Sequence, residues 1–151
     1  MNLKYIRQRN DLCQFEVAKI LGVAKSTYCD WEGGKNTIPL KRLIDFCDYF
    51  NVSIDYALGL SNGKYYDNMK SGINRNIHTK RLKDIRRDNN YTQSELAKVL
   101  KTDNGVISRY ENGINLIQTA FLINYAKLFN ISCDYILGRI DTEIPIKELI
   151  G

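Results

Sequence analysis

The sequence is poor in the features that mark most function classes. No stretch approaches the ~20 consecutive apolar residues that span a bilayer, so a transmembrane helix is not expected. The start, Met1-Asn2-Leu3-Lys4-Tyr5, does not read as a signal peptide, which makes the cytoplasm the expected location. Four cysteines (Cys13, Cys29, Cys47, Cys133) form no C-x-x-C pair, and the one histidine, His78, lies far from all of them. That spacing excludes the usual zinc sites, and no metal or cofactor is expected. Three cysteines fall in the first half and one in the second, so no disulfide framework repeats; reduced, mostly packed thiols are expected. Nothing resembles a nucleophile–base pairing or a phosphate-cradling glycine loop, and no enzyme is read here. Charge of one sign is also scarce: the net +5 and pI near 9.0 suit a polyanionic partner without identifying one.

What the chain has is repetition. Shifted by 79 positions, residues 3–62 fall on 82–141 without a gap, and 23 of 60 positions are identical. A match of that quality requires one fold twice. The shared positions include Leu3/Leu82, Ile6/Ile85, Arg7/Arg86, Gln14/Gln93, Glu16/Glu95, Ala18/Ala97, Glu32/Glu111, Gly34/Gly113, Asp55/Asp134 and Gly59/Gly138. With 44% hydrophobic residues and two prolines, each copy has enough apolar material for a core.

The apolar spacing is helical, with Leu96, Ala97 and Leu100 on one stripe and Leu122, Ala126 and Phe129 on another. Thr92-Gln93-Ser94-Glu95 forms a capping box, Asp103 caps the next helix, and Ser53 and Ser132 cap the last. Gly34/Gly113 and Gly59/Gly138 supply stops. The pattern predicts an all-α chain of two tandem five-helix domains, with helices near 2–10, 13–21, 25–32, 39–50 and 53–58 and the same set shifted by 79. The predicted boundaries are domain 1 over 1–62, a linker over 63–79, domain 2 over 80–141 and a tail over 142–151. The tail run Ile144 to Ile150 is apolar enough to pack on the body or on a second chain.

Positive charge concentrates between the copies. Each copy carries eight cations against seven anions, whereas 63–81 carries five against one: Lys64, Lys70, Arg75, Lys80 and Arg81. Two readings stand, a solvated linker and a segment that runs along phosphates.

The segment Thr92 to Gly113 resembles the Cro/lambda-repressor-like, XRE-type helix-turn-helix family, and Cys13 to Gly34 resembles it a second time. The resemblance implies sequence-specific binding of double-stranded DNA by a transcriptional repressor. Ala18 and Ala97 supply the small residue at which helix 3 packs closely on helix 2. Tyr28 and Trp31, or Val106, Ile107 and Tyr110, are then expected in the core, and Lys25, Ser26, Cys29, Asp30 or Asn104, Gly105, Ser108, Arg109 in the major groove. Arg109 suits a guanine edge and Asn104 an adenine edge; the alternative for either is a phosphate contact or a solvated side chain. The family position of Gln14 and Gln93, at the first turn of helix 2, implies a phosphate contact. So does the loop holding Lys35 and Asn36, or Asn112 and Asn115. Arg7/Arg86 and Glu32/Glu111 are expected to form an internal ion pair that orients helix 3.

The copies depart from the pattern differently. Copy one has Cys13 at the helix 2 cap and Asp30 where copy two has Arg109. Copy two has Lys101 where copy one has Gly22, which costs little if the turn avoids the left-handed region. Copy two is therefore expected to be the stronger reader. One chain supplies two reading helices, so an intramolecular pseudo-dimer and a homodimer both stay open. The alternative function is a protein-interaction module, antirepressor or antitoxin-like, in which one copy binds a protein partner.

Overall fold

The computed structural model describes residues 1–146, which divide into two compact units, Met1–Met69 and the part from Lys70 onward. Among the described residues every regular element is an α-helix, five in each unit. Unit 1 holds α1 (Leu3–Arg9), α2 (Gln14–Leu21), α3 (Lys25–Glu32), α4 (Leu40–Phe50) and α5 (Ile54–Ala57). Unit 2 holds α6 (Arg75–Asp88), α7 (Gln93–Val99), α8 (Asn104–Glu111), α9 (Thr119–Phe129) and α10 (Cys133–Ile136). The all-α, two-domain expectation agrees with this architecture.

The caps fall where the sequence places them. The Thr92 hydroxyl accepts from the Glu95 N–H at 3.1 Å, and the Glu95 carboxylate accepts from the Thr92 N–H at 3.3 Å. In unit 1 the Cys13 N–H donates to Glu16 at 3.1 Å, and that bond holds the Glu16 carboxyl below its ordinary range. Asp103 accepts from the Val106 N–H at 2.9 Å, and Ser53 and Ser132 accept from Tyr56 and Tyr135. Each satisfies an N–H that the first turn of a helix otherwise leaves open. The core of unit 1 gathers Leu3, Ile6, Val17, Ala18, Leu21, Tyr28, Leu43 and Phe46; that of unit 2 gathers Leu82, Ile85, Leu96, Ala97, Ile107, Leu122 and Tyr125. Each fully buried aliphatic chain contributes about 1.5–3 kcal/mol.

Four features go beyond the sequence reading or depart from it. The first helix of unit 2 starts at Arg75, well before the shifted repeat, with Asn74 capping the Ile77 N–H at 3.1 Å. Its added turns pack His78 against α10, where Nδ1 meets the Ile136 carbonyl at 2.8 Å; burial pushes the imidazole pKa down. A Cβ on Gly138 would lie 3.0 Å from the Asn74 side chain, so the glycine admits the extension as well as adopting φ +77°.

Second, 63–79 is not one irregular connection. Lys64 accepts from the Ser53 N–H, Gly63 accepts from the Ser53 hydroxyl, and the Tyr66 hydroxyl donates to buried Asp55 at 2.8 Å, which fastens the segment to unit 1. On the other side, Lys70 and Asn74 donate backbone bonds to Arg139 and Leu137 of unit 2. Arg81 donates to the Tyr135 and Ile140 carbonyls and lies 3.9 Å over the Tyr135 ring, so it serves the fold. Lys70 faces Asp141 at 3.1 Å, and Arg75 and Lys80 are exposed.

Third, the tail packs on its own unit as far as it is described: Ile144 accepts from the Ser132 N–H at 2.8 Å and Ile146 is buried. The rest of the predicted apolar run, 147–150, lies outside the described residues.

Fourth, Lys101 does occupy the left-handed region, with φ 56°, as Gly22 does with φ 68°. The condition under which this substitution would be inexpensive is therefore not met. A left-handed L-residue costs about 1–2 kcal/mol, and glycine gives back about 0.5–1 kcal/mol through its larger unfolded-state entropy. Lys101→Gly is expected to stabilise unit 2 by about 0.5–1 kcal/mol, visible as a higher denaturant midpoint with an unchanged slope. A lower midpoint would contradict this account of the turn.

Candidate nucleic-acid interface

In each unit two consecutive short helices, α2–α3 and α7–α8, pack on one another through their small and apolar faces. Ala18 and Ala97 are 1% and 4% exposed, which lets the helix axes approach closely. Tyr28 and Trp31 in α3, and Ile107 and Tyr110 in α8, turn into the core as expected, with Val106 half-buried. The opposite face of each helix is accessible. Lys25 and Ser26 are exposed and Cys29 and Asp30 half-buried; Asn104 and Arg109 are exposed and Gly105 and Ser108 half-buried. Helical periodicity makes this division unavoidable once the aromatic and aliphatic positions are inside.

The loops after α3 and α8 leave Lys35, Asn36, Asn112 and Asn115 exposed. The backbone holds them: Lys35 N–H donates to Asp30 O at 2.9 Å, and Ile114 N–H to Arg109 O at 2.9 Å. Asn112 also donates to the Ser108 hydroxyl at 3.2 Å.

An ion pair ties α3 and α8 each to the first helix of its unit. Arg7 donates from Nε and Nη2 to Glu32 at 2.6 and 3.0 Å, and Arg86 donates to Glu111 at 2.7 and 2.9 Å. The third guanidinium nitrogen donates to the Leu12 or Tyr91 carbonyl, which fixes the fork at the turn before α2 or α7. The Glu32 and Glu111 side chains are only 3% and 2% exposed. Burial pushes the Glu32 carboxyl up, but hydrogen bonds from Arg7 and Gln14 outweigh it and hold the group below its ordinary range. Glu111, through its bonds, likewise raises Arg86. Neither arginine is available to DNA, in keeping with the expected internal pair.

Gln14 and Gln93 turn out to belong partly to this network. Their amides donate to Glu32 and Glu111 at 3.2 and 3.4 Å, and the Cys29 thiol donates to Gln14 Oε1 at 3.1 Å. Both glutamines remain half-exposed, so a phosphate would share them with the carboxylate. Of the cysteines, Cys47 and Cys133 are buried, Cys29 is half-buried on α3 and Cys13 is exposed, so the packed-thiol expectation fits only the first two fully. Thr27, exposed at the start of α3, is a further accessible side chain, and the apolar character of its counterpart Val106 hides it in the repeat pattern.

Among the described residues no group of three or more His, Cys, Asp or Glu side chains is placed to hold a metal ion, and no helix is long and apolar enough to cross a membrane.

Comparison with known proteins agrees with the geometry. A family model described as helix-turn-helix matches residues 3–56 and again 82–136. The regulator ImmR of Bacillus subtilis, an HTH-type transcriptional regulator, is 40% identical over 60 residues, 40% of this chain and 47% of its own length. The HTH-type transcriptional regulator YobD of the same organism is 34% identical over 59 residues, 39% of this chain and 53% of its own. Antitoxin PezA of Streptococcus pneumoniae is 33% identical over 52 residues, 34% of this chain and 33% of its own. The chain thus spans about half or less of these relatives, and no solved structure matches it. With both copies matched and more than half the chain covered, the protein belongs to the XRE-type helix-turn-helix family, which it carries twice in tandem.

Proposed function

We propose that the chain binds double-stranded DNA sequence-specifically and acts as a transcriptional repressor, reading bases with α3 and α8. The family and the regulator relatives support a DNA-binding regulator. The observation that carries the finer reading is the sorting of each helix into a buried aromatic and aliphatic face and an accessible polar one. An accessible helix face of that size fits a major groove, and phosphate contacts on either side would fix its register. Gln14 and Gln93 at the first turns of α2 and α7, with Lys35, Asn36, Asn112 and Asn115 in the loops, are the proposed phosphate ligands. Lys25, Ser26, Cys29, Asp30, Asn104, Gly105, Ser108 and Arg109 are the proposed groove-facing set. A cytoplasmic location goes with this role.

The reading helices differ at every one of these positions, so two non-identical half-sites are proposed rather than a perfect palindrome. Unit 2 is the stronger reader, because Arg109 offers a guanidinium fork where unit 1 offers the carboxylate of Asp30. Two half-sites one helical turn apart require reading helices about 34 Å apart. One chain can meet this as a pseudo-dimer, and a pair of chains as a homodimer.

The test is a binding titration of the whole chain against duplexes selected from a random pool, at 50 and 200 mM salt. Affinity is expected to fall about a hundredfold between them for about four neutralised phosphates, since log affinity drops by about 0.9 per neutralised phosphate for each tenfold rise in salt. Arg109→Ala is expected to weaken the selected duplex more than Lys25→Ala. A second reading, an antitoxin-like module that binds a protein, is favoured by the similarity to PezA and by Asp30. It requires a flat salt response and no enriched duplex.

A further inference from the structure

The glycine in the middle of the α8 reading surface has a specific neighbour. A Cβ built on Gly105 would stand 3.2 Å from Arg109 Nη1 and 3.1 Å from Asp103 Oδ1. The guanidinium of Arg109 therefore lies back along the helix over the bare backbone at Gly105. Helix geometry explains why these residues meet: a side chain leans toward the helix N-terminus, over the residue four positions before it. In unit 1 the same two positions hold Ser26 and Asp30, so the bare backbone and the arginine occur together in unit 2 and neither occurs in unit 1.

Glycine is a poor helix residue, and α8 has only eight residues, so its presence there weakens the element that reads. Packing gives no reason for it, because both atoms near the missing Cβ are side-chain ends at an accessible surface. We propose that Gly105 is a positioning residue for Arg109. By leaving the space beside its own backbone empty, it lets the arginine lie flat along the first turns of α8. The fork is thereby aimed at one base pair, and the chemistry it recognises is the guanine edge with its two adjacent acceptors. This inference rests on the proposed DNA reading and assigns the discrimination at one base pair of the unit 2 half-site to the pair Gly105 and Arg109.

The experiment enriches duplexes from a randomised pool with the whole wild-type chain, then measures the affinity of each variant for the enriched duplex and for single-pair substitutions of it. Wild type is expected to prefer G·C at one position, and Arg109→Ala to abolish that preference. Gly105→Ala is expected to lower the preference about tenfold, within the discrimination that a bidentate contact supplies, while its melting temperature stays level or rises. Gly105→Ser, which supplies the residue of unit 1, is expected to do the same. In the Arg109→Ala background Gly105→Ala is expected to have no further effect, because the two then act through one side chain. A wild-type preference retained in Gly105→Ala overturns the proposal, and so does an equal loss from Gly105→Ala when Arg109 is already absent, which would mean the backbone itself approaches the duplex. Failure of wild type to enrich any duplex would instead overturn the DNA reading, and this inference with it.

Discussion

Glu111→Ala is expected to lower the stability of unit 2 by about 3–5 kcal/mol, far more than an ion pair at a surface. The reason lies in what remains. Arg86 is 7% exposed and donates to both oxygens of Glu111 at 2.7 and 2.9 Å. Removing the carboxylate leaves a guanidinium that can neither lose its proton nor reach water, and an uncompensated buried charge costs about that much. An exposed pair is worth about 0–1 kcal/mol, because water replaces the lost partner. The helix it anchors should also loosen: α8 amides are expected to exchange with solvent faster than those of α9 when exchange is followed in the whole chain. Replacing both members at once, as Arg86→Met with Glu111→Leu, should recover most of the loss, since two desolvated charges vanish together. A single-mutant cost near 1 kcal/mol would mean that the pair is solvated and does not fix α8.

The same pair shows how much the amino-acid sequence discloses. Arg7/Arg86 and Glu32/Glu111 recur 79 positions apart, and their internal role follows from that register together with the family's pattern. Helix limits were also readable, because caps such as Thr92, Asp103, Ser53 and Ser132 are local chemistry: a side chain three residues from the N–H it satisfies. The accessible faces of α3 and α8 follow from periodicity alone. What periodicity does not carry is the identity of tertiary partners. The turns added before α6 read as linker because Asn74, Arg75 and Asn76 are polar. They are helical because His78 finds the Ile136 carbonyl and Gly138 leaves room beside Asn74. The same holds at the candidate site, where the attachment of Gln14 to Glu32 and Cys29 depends on two helices meeting. Lys101 adopts the backbone of a glycine since the turn between α7 and α8 is set by the packing of both helices, which overrides one residue's preference.

Arg139→Leu is expected to cost unit 2 about 3–5 kcal/mol, although unit 1 carries leucine at the equivalent position, Leu60. The two units solve one problem differently. Each buries an aspartate at the start of its last helix, Asp55 or Asp134, both 0% exposed. In unit 1 the Tyr66 hydroxyl reaches back to donate to Asp55 at 2.8 Å. In unit 2 the guanidinium of Arg139, itself 1% exposed, donates to Asp134 at 3.0 Å and to the Gly72 carbonyl at 2.9 Å. Leucine at 139 fills the volume but removes the cation beside a carboxylate that is out of reach of water, and a charged hydrogen bond of this kind is not replaced by packing. The Gly72 bond adds a second consequence. It anchors the chain just before α6, so residues 75–80 are expected to exchange faster in Arg139→Leu than residues 82–88, which are held by Leu82 and Ile85 in the core. Arg139→Lys should fall between, keeping the charge at Asp134 and losing the fork that also reaches Gly72. Tyr66→Phe in unit 1 should cost less than Arg139→Leu, because the phenol is half-exposed and water can take its place. A loss below about 1 kcal/mol in Arg139→Leu, or unchanged exchange across 75–80, would show that the polar core of unit 2 does not hold the added turns of α6 in place.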